Sequence, residues 1–119
     1  MEIYQEFSFD AAHHFPAAAA GSPYRNLHGH SFTARIVLRG PVDSRTGFIA
    51  DLGELERRCG VLRQALDHHY LNDIEGLQVP SLENIAAWIW KQLKDDLPAL
   101  ARVEVRRDSS RHGCVYEGS

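Results

Sequence analysis

His28-Gly29-His30 sets two imidazoles at i and i+2, a spacing that turns both to one side only in extended backbone, because strand side chains alternate faces. His13 supplies a third nitrogen if an adjacent strand carries it. Three imidazoles with one position left open is the arrangement of catalytic zinc, whereas structural zinc usually closes all four. A lone His-x-His is an ordinary pair of polar strand residues. Here the company differs: the seven histidines stand at 13, 14, 28, 30, 68, 69 and 112, so six of them fall in three tight groups. The pattern predicts a bound metal that does chemistry, and among the metals imidazole favours zinc is the first expectation.

The elements that must position these groups are readable from periodicity. Ile3 to Phe9 alternates (Ile3, Gln5, Phe7 and Phe9 against Tyr4, Glu6 and Ser8) and predicts a strand that runs into Asp10-Ala11-Ala12-His13-His14. Pro16 to Pro23 holds Ala, Gly, Ser and Pro without periodicity, a longish loop of the kind that is often functional. From Ser31 to Arg39 alternation returns, with Phe32, Ala34, Ile36 and Leu38 opposite Thr33, Arg35 and Val37, until Gly40-Pro41 stops it. His13 therefore ends one strand while His28 and His30 begin the next. Antiparallel pairing would bring them together, with the loop lying over the metal.

Asp51 is suited to cap a helix, with Glu54 three residues on as in a capping box, and Leu52, Leu55, Cys59, Leu62 and Leu66 then share one face. Ser81 opens a second helix, with Ile85, Trp88, Ile89, Gln92 and Leu93 at helical spacing before Pro98. Trp88 and Trp90 read as core or interface aromatics rather than a cofactor platform. Arg102 to Arg107 alternates again, and Cys114-Val115-Tyr116 makes a short last strand. The order ββααββ, without repeats or a linker, predicts an α+β fold with an antiparallel four-stranded sheet and two helices.

Bulk properties narrow the function. A chain of 119 residues, 44% hydrophobic and 24% charged, suits one globular domain spanning 1–119. A net charge of −3 argues against a nucleic-acid binder, so an anionic substrate would have to meet local arginines and lysines. Cys59 and Cys114 are too few for a disulfide framework, no hydrophobic segment precedes the folded pattern, and no run is long enough to span a membrane. The expected location is cytoplasmic.

Several segments together resemble the family of 6-pyruvoyl-tetrahydropterin synthase and 6-carboxytetrahydropterin synthase. They are Phe9-Asp10-Ala11-Ala12-His13, Leu27-His28-Gly29-His30-Ser31-Phe32 and Gly47-Phe48-Ile49-Ala50-Asp51-Leu52. Leu66-Asp67-His68 with Leu71-Asn72, Pro80-Ser81-Leu82-Glu83-Asn84, and Gly113-Cys114-Val115-Tyr116 follow in family order. Each piece alone is weak, and six in order are specific. The resemblance implies the tunnelling fold, a ββααββ unit whose sheets join around a pore as a trimer or as a hexamer of two stacked trimers. It implies active sites between subunits, a pterin substrate, and Zn2+ held by His13, His28 and His30. His14 is the alternative first ligand, but the family pattern sets the histidine directly after two small residues, so His14 reads as a surface residue or one that backs the ligands.

The implied chemistry is proton transfer at the carbons of a polyhydroxylated pterin side chain, with the metal stabilising developing enolate charge. It needs a base on one side and a relay on the other. Asp67 and His68 match the family's relay pair, a carboxylate orienting an imidazole; as bare sequence they also suit a helix C-terminus. Two positions depart from the family. The catalytic cysteine is replaced by Tyr24, whose ordinary pKa near 10 exceeds the 8.5 of a thiol. Tyr24 is either a base whose basicity a metal or a cation such as Arg25 has lowered, or a packing residue of the loop. Asp108 stands where the family has a glutamate that anchors the pterin ring; it also suits a turn before Ser109-Ser110. Arg106 and Arg107 read either as contacts to a triphosphate tail or as a solvated strand edge.

Three functions follow. The first is a zinc-dependent lyase acting on 7,8-dihydroneopterin triphosphate, with 6-carboxytetrahydropterin as product, as in the queuosine precursor pathway. The second keeps metal and relay but cleaves the side chain by a retro-aldol step that does not need the thiolate. The third is a non-catalytic zinc- and pterin-binding paralogue.

Overall fold

In the computed structural model, which describes residues 1–118, the chain forms β1 (Glu2–His13), β2 (His28–Arg39), α1 (Leu52–Leu66), α2 (Leu82–Leu93), β3 (Leu100–Arg107) and β4 (His112–Tyr116). The strands make one antiparallel sheet in the order β1-β2-β3-β4. This is the predicted ββααββ order.

β1 and β2 pair from Glu2 opposite Arg39 to His13 opposite His28. Both strands are longer than their alternation suggests. β1 continues through Asp10 to His13 and β2 starts at His28, because small residues and glycine interrupt the apolar signal there without interrupting the ladder. The outer edge of β1 at this end is covered by the segment after α1. Asp10 N donates to Asp67 Oδ1 at 2.8 Å, His68 N donates to the Asp10 carbonyl at 2.6 Å, and Ala12 N donates to the His69 carbonyl at 3.1 Å.

The core fills the space between one sheet face and the helices. Phe7, Phe9, Phe32, Ala34, Ile36, Val103 and Val105 meet Leu55, Cys59, Leu62 and Leu66 of α1 and Ile85, Ile89 and Leu93 of α2. Trp88 and Trp90 pack against this core, partly buried. Leu52 stays 50% exposed, because it lies off the axis of the stripe that Leu55, Cys59, Leu62 and Leu66 define. The capping box is half formed. Asp51 accepts from Gly53 N at 2.9 Å, but Glu54 turns outward to Arg57 and Arg58, since charged partners at i+3 and i+4 outbid a main-chain amide. Ser81 caps α2 as expected, accepting from Asn84 N at 3.1 Å. α2 ends at Leu93, short of Pro98.

The opposite sheet face carries a ladder of paired charges. Glu2 holds Arg39 and Arg102, Glu104 holds Arg102 and Arg35, and Glu6 holds Arg35 and Arg106. Asp108 closes the series on Arg106. Four arginines thus meet four carboxylates. No helix among the described residues is long and apolar enough to cross a membrane.

Candidate metal centre and cavity

His13, His28 and His30 lie on the core face of the sheet at its β1–β2 end. A ligating nitrogen from each lies within 4.8 Å of the other two. The register explains this: His13 is directly opposite His28, and His30 is opposite Ala11 on the same face.

Two of the rings are fixed by carbonyl groups. His13 Nδ1 lies 2.9 Å from the Pro80 carbonyl oxygen, and His28 Nδ1 lies 2.7 Å from that of Asn26. A carbonyl only accepts, so each Nδ1 carries the proton and each Nε2 is left with a bare lone pair. His13 is 1% exposed, and burial pulls its pKa down to about 4, with the neighbouring rings and Arg107 adding to the shift. His30 is shifted down for the same first reason, burial. Neutral imidazole is the form a metal needs. Nε2 of His13 and Nε2 of His30 are buried without any hydrogen-bond partner. Buried polar atoms are normally satisfied, and three converging imidazoles, two of them with orphaned nitrogens, form a donor set that fits a divalent metal ion.

A cavity of about 410 Å³ opens beside His13, lined by the loop residues Phe15 to Ala18, Tyr24, Ser81, Glu83 and Arg107 among others. The loop does lie over the triad. Part of it is ordered as a 3-10 turn, Pro23–Arg25, with Ser22 Oγ accepting from Tyr24 N at 3.2 Å. The Tyr24 carbonyl accepts from Phe15 N at 2.7 Å, and the Tyr24 ring meets Phe15 edge-on while staying 55% exposed. Neither cysteine lines this cavity. Cys59 is in the core, where burial pushes its thiol up to about 11, and Cys114 is raised by burial and by the charge of Glu83.

His68 stands apart from Tyr24, on a second cavity of about 590 Å³ lined also by Asp10, His30, Ser31 and Tyr70, with Asp67 held beside it. Asp67 Oδ2 accepts from His68 Nδ1 at 2.9 Å, and Arg63 lies 3.3 Å from the same oxygen. The Asp10 amide, then His68 and Arg63, hold the Asp67 carboxyl below its ordinary range. His68 is exposed and has φ +58°, a backbone state that costs a non-glycine residue energy and that recurs at functional sites. Asp108 faces the opposite side of the sheet, where Thr33 Oγ1 donates to its Oδ2 and Arg106 Nε to its Oδ1, each at 2.8 Å. Within one chain it does not meet the triad. His14 is no part of the triad; Tyr70 bonds its ring, and Asn72 grips its main chain through both amide and carbonyl.

Several supporting groups carry no individual signal in the sequence. The Pro80 and Asn26 carbonyls are main-chain atoms. The Asn72 clamp becomes visible only when β1 and the segment after α1 are side by side.

The fold defined by these elements is the tunnelling fold. It superimposes on the structure of Caenorhabditis elegans 6-pyruvoyl tetrahydropterin synthase with a TM-score of 0.89 at 25% identity, over 100% of this chain and 96% of that one. It matches a structure of an uncharacterised Wolinella succinogenes protein with a TM-score of 0.81 at 17% identity, covering 100% and 98%, which speaks to the fold alone. The 6-pyruvoyl tetrahydropterin synthase family profile matches residues 2–119, and the chain belongs to that family. It is 42% identical to 6-carboxy-5,6,7,8-tetrahydropterin synthase of Synechocystis over 87% of this chain and 83% of the relative. It is 35% identical to the dihydroneopterin monophosphate aldolase of Pyrococcus furiosus over 76% and 73%.

Proposed function

We propose that the protein, one domain over 1–119, is a zinc-dependent pterin lyase that acts on 7,8-dihydroneopterin triphosphate as a 6-carboxytetrahydropterin synthase of the queuosine precursor pathway. One observation carries the reading: three imidazole nitrogens, two of them orphaned and buried, converge beside a cavity that holds Tyr24 and Arg107. The 42% identity to a carboxypterin synthase supports that product.

His13, His28 and His30 would hold the ion through their inward nitrogens. A bound divalent ion polarises the substrate's side-chain oxygens and stabilises charge that develops on them. Tyr24 would take the place of the family's cysteine as base, its phenolate oxygen accepting a proton from side-chain carbon. Asp67 holds the Nδ1 proton of His68 and leaves Nε2 free to pass a proton. Because Tyr24 and His68 line different cavities of one chain, we assign the complete site to the junction of two chains. A trimer or hexamer formed edge to edge is supported by the outer edges of β4 and of β1 ahead of Asp10, which no other strand covers among the described residues. Asp108 would anchor the pterin ring from the sheet face on which it lies. Two free thiols suit a reducing compartment, and we assign the protein to the cytoplasm.

The absence of a thiol from the cavity favours a second reading, retro-aldol cleavage of the side chain, and the 35% identical aldolase supports it. Mass spectrometry of the zinc-loaded protein incubated with 7,8-dihydroneopterin triphosphate separates the two. Carboxypterin with acetaldehyde establishes the synthase. A hydroxymethyl pterin with a sugar-like aldehyde establishes the aldolase. Unchanged substrate at full metal content overturns both in favour of a non-catalytic binding protein.

A further inference from the structure

Arg106 and Arg107 are neighbours in sequence with opposite fates. Arg106, opposite Thr33, joins the charge ladder and is neutralised by Glu6 and Asp108. Arg107, opposite Phe32, lies on the core face with the histidines and lines the cavity beside His13. Among the described residues no carboxylate lies within ion-pair distance of it, and its one polar side-chain contact is from Nη2 to His112 Nδ1 at 3.3 Å. Its Nε is buried and without a partner, the third such side-chain atom beside the two histidine nitrogens. The signs differ. The Nε2 lone pair of His13 needs a cation, whereas an N–H of a guanidinium needs an acceptor, best an anionic one. A half-buried guanidinium beside a metal site is costly unless an anion lies between the two.

We propose that Arg107 is the anion-receiving residue of the cavity, taking a negatively charged oxygen of the pterin substrate beside the histidine triad. This rests on the pterin reading above. The anionic oxygen has two sources, a phosphate of the substrate or the side-chain oxygen that gains charge during reaction, and Arg107 is a specificity residue in the first case and acts on the reacting atoms in the second.

The test compares wild type, Arg107→Gln and Arg107→Lys, metal-free and zinc-loaded. Each is titrated by calorimetry with inorganic phosphate, 7,8-dihydroneopterin and its triphosphate, and turnover of both pterins is followed. A tenfold or greater loss of affinity for phosphate and the triphosphate in Arg107→Gln, with the unphosphorylated pterin bound as by wild type and lysine restoring part, identifies the phosphate. Unchanged binding with a tenfold or greater fall in kcat for both pterins identifies the reacting oxygen. Wild-type binding and kcat in Arg107→Gln overturn the proposal. If wild type binds phosphate but no pterin, the pterin reading fails and the phosphate titration still decides Arg107; if it binds neither, both fail. Should the glutamine variant not fold, phenylglyoxal labelling of the zinc-loaded wild type replaces it: protection of Arg107 by inorganic phosphate or by 7,8-dihydroneopterin supports the proposal, and equal labelling whichever is present overturns it.

Discussion

The imidazole of His13 is oriented by a carbonyl group from far along the chain, its Nδ1 lying 2.9 Å from the oxygen of Pro80. That carbonyl stands in a short segment pinned from α2. Asn84 Nδ2 donates to the Val79 carbonyl at 2.8 Å, while Asn84 N caps onto Ser81 Oγ. The start of a helix therefore decides which nitrogen of a strand histidine faces the other two imidazoles.

Loosening that support should weaken the metal without unfolding the protein. Asn84→Ala keeps the main-chain cap but frees Val79 and Pro80, and zinc affinity is expected to fall about tenfold, as for other groups that orient metal ligands. His28→Ala should abolish zinc binding altogether. Competition with a chromophoric chelator measures both, and stoichiometric zinc in His28→Ala would sink the ligand assignment.

Stability of the metal-free protein should depend on pH through His13. Its folded pKa is pulled to about 4 by burial, against an ordinary 6.5, so between these values the unfolded chain holds more protons. The contribution is complete above pH 6.5 and is lost as pH falls toward 4, amounting to about 3 kcal/mol at one pKa unit per 1.36 kcal/mol. Asp67 and Asp108, held below their ordinary range, act at lower pH, because their contribution is lost only as pH falls through those depressed values. Urea unfolding at pH 7 and pH 5 should show the difference in wild type, with a smaller one in His13→Asn. Equal differences would refute the assignment.

The relay pair makes a test that separates activity from fold. Asp67→Asn can still accept from the Asp10 amide but loses the charge that orients His68, so turnover should fall by a hundredfold or more with zinc content unchanged. The strained backbone of His68 adds a second signature. At φ +58° glycine avoids the steric cost, and His68→Gly is expected to exceed His68→Ala in stability by about 1 kcal/mol, with both inactive. Equal stability would argue that the backbone relaxes there.

Tyr24 is tested by two substitutions. Tyr24→Phe removes the hydroxyl but keeps the ring against Phe15, and should lower turnover about a hundredfold if the hydroxyl is the base. Tyr24→Cys should raise carboxypterin formation. Wild-type rates in both variants would leave Tyr24 as loop packing.

Much of this architecture was legible in the chain because alternation and helical spacing are dictated by burial. Phe32, Ala34, Ile36 and Leu38 had to share a face, and that face carried His28 and His30 with it. The strand ends at His13 and His28 were legible from the histidine spacing and not from alternation, since Ala11, Ala12 and Gly29 have no hydrophobic signal; the cover that residues 67–70 give the β1 edge was not legible. The capping box failed because Glu54 found two arginines on its own helix. The role of Arg107 could not be separated from that of Arg106 until the register put them on opposite faces.

The pairing of His13 with His28 also bears on how the chain reaches its folded state. All three imidazoles come from a single hairpin, so they can meet before either helix docks, at the cost of closing only the segment 14–27, and the Pro80 carbonyl then fixes His13 when α2 arrives. A slip of one residue would turn His28 and His30 toward the arginine-rich face and leave His13 alone. Metal captured early would therefore act as a proofreader of strand alignment, rewarding the one pairing in which three nitrogens meet.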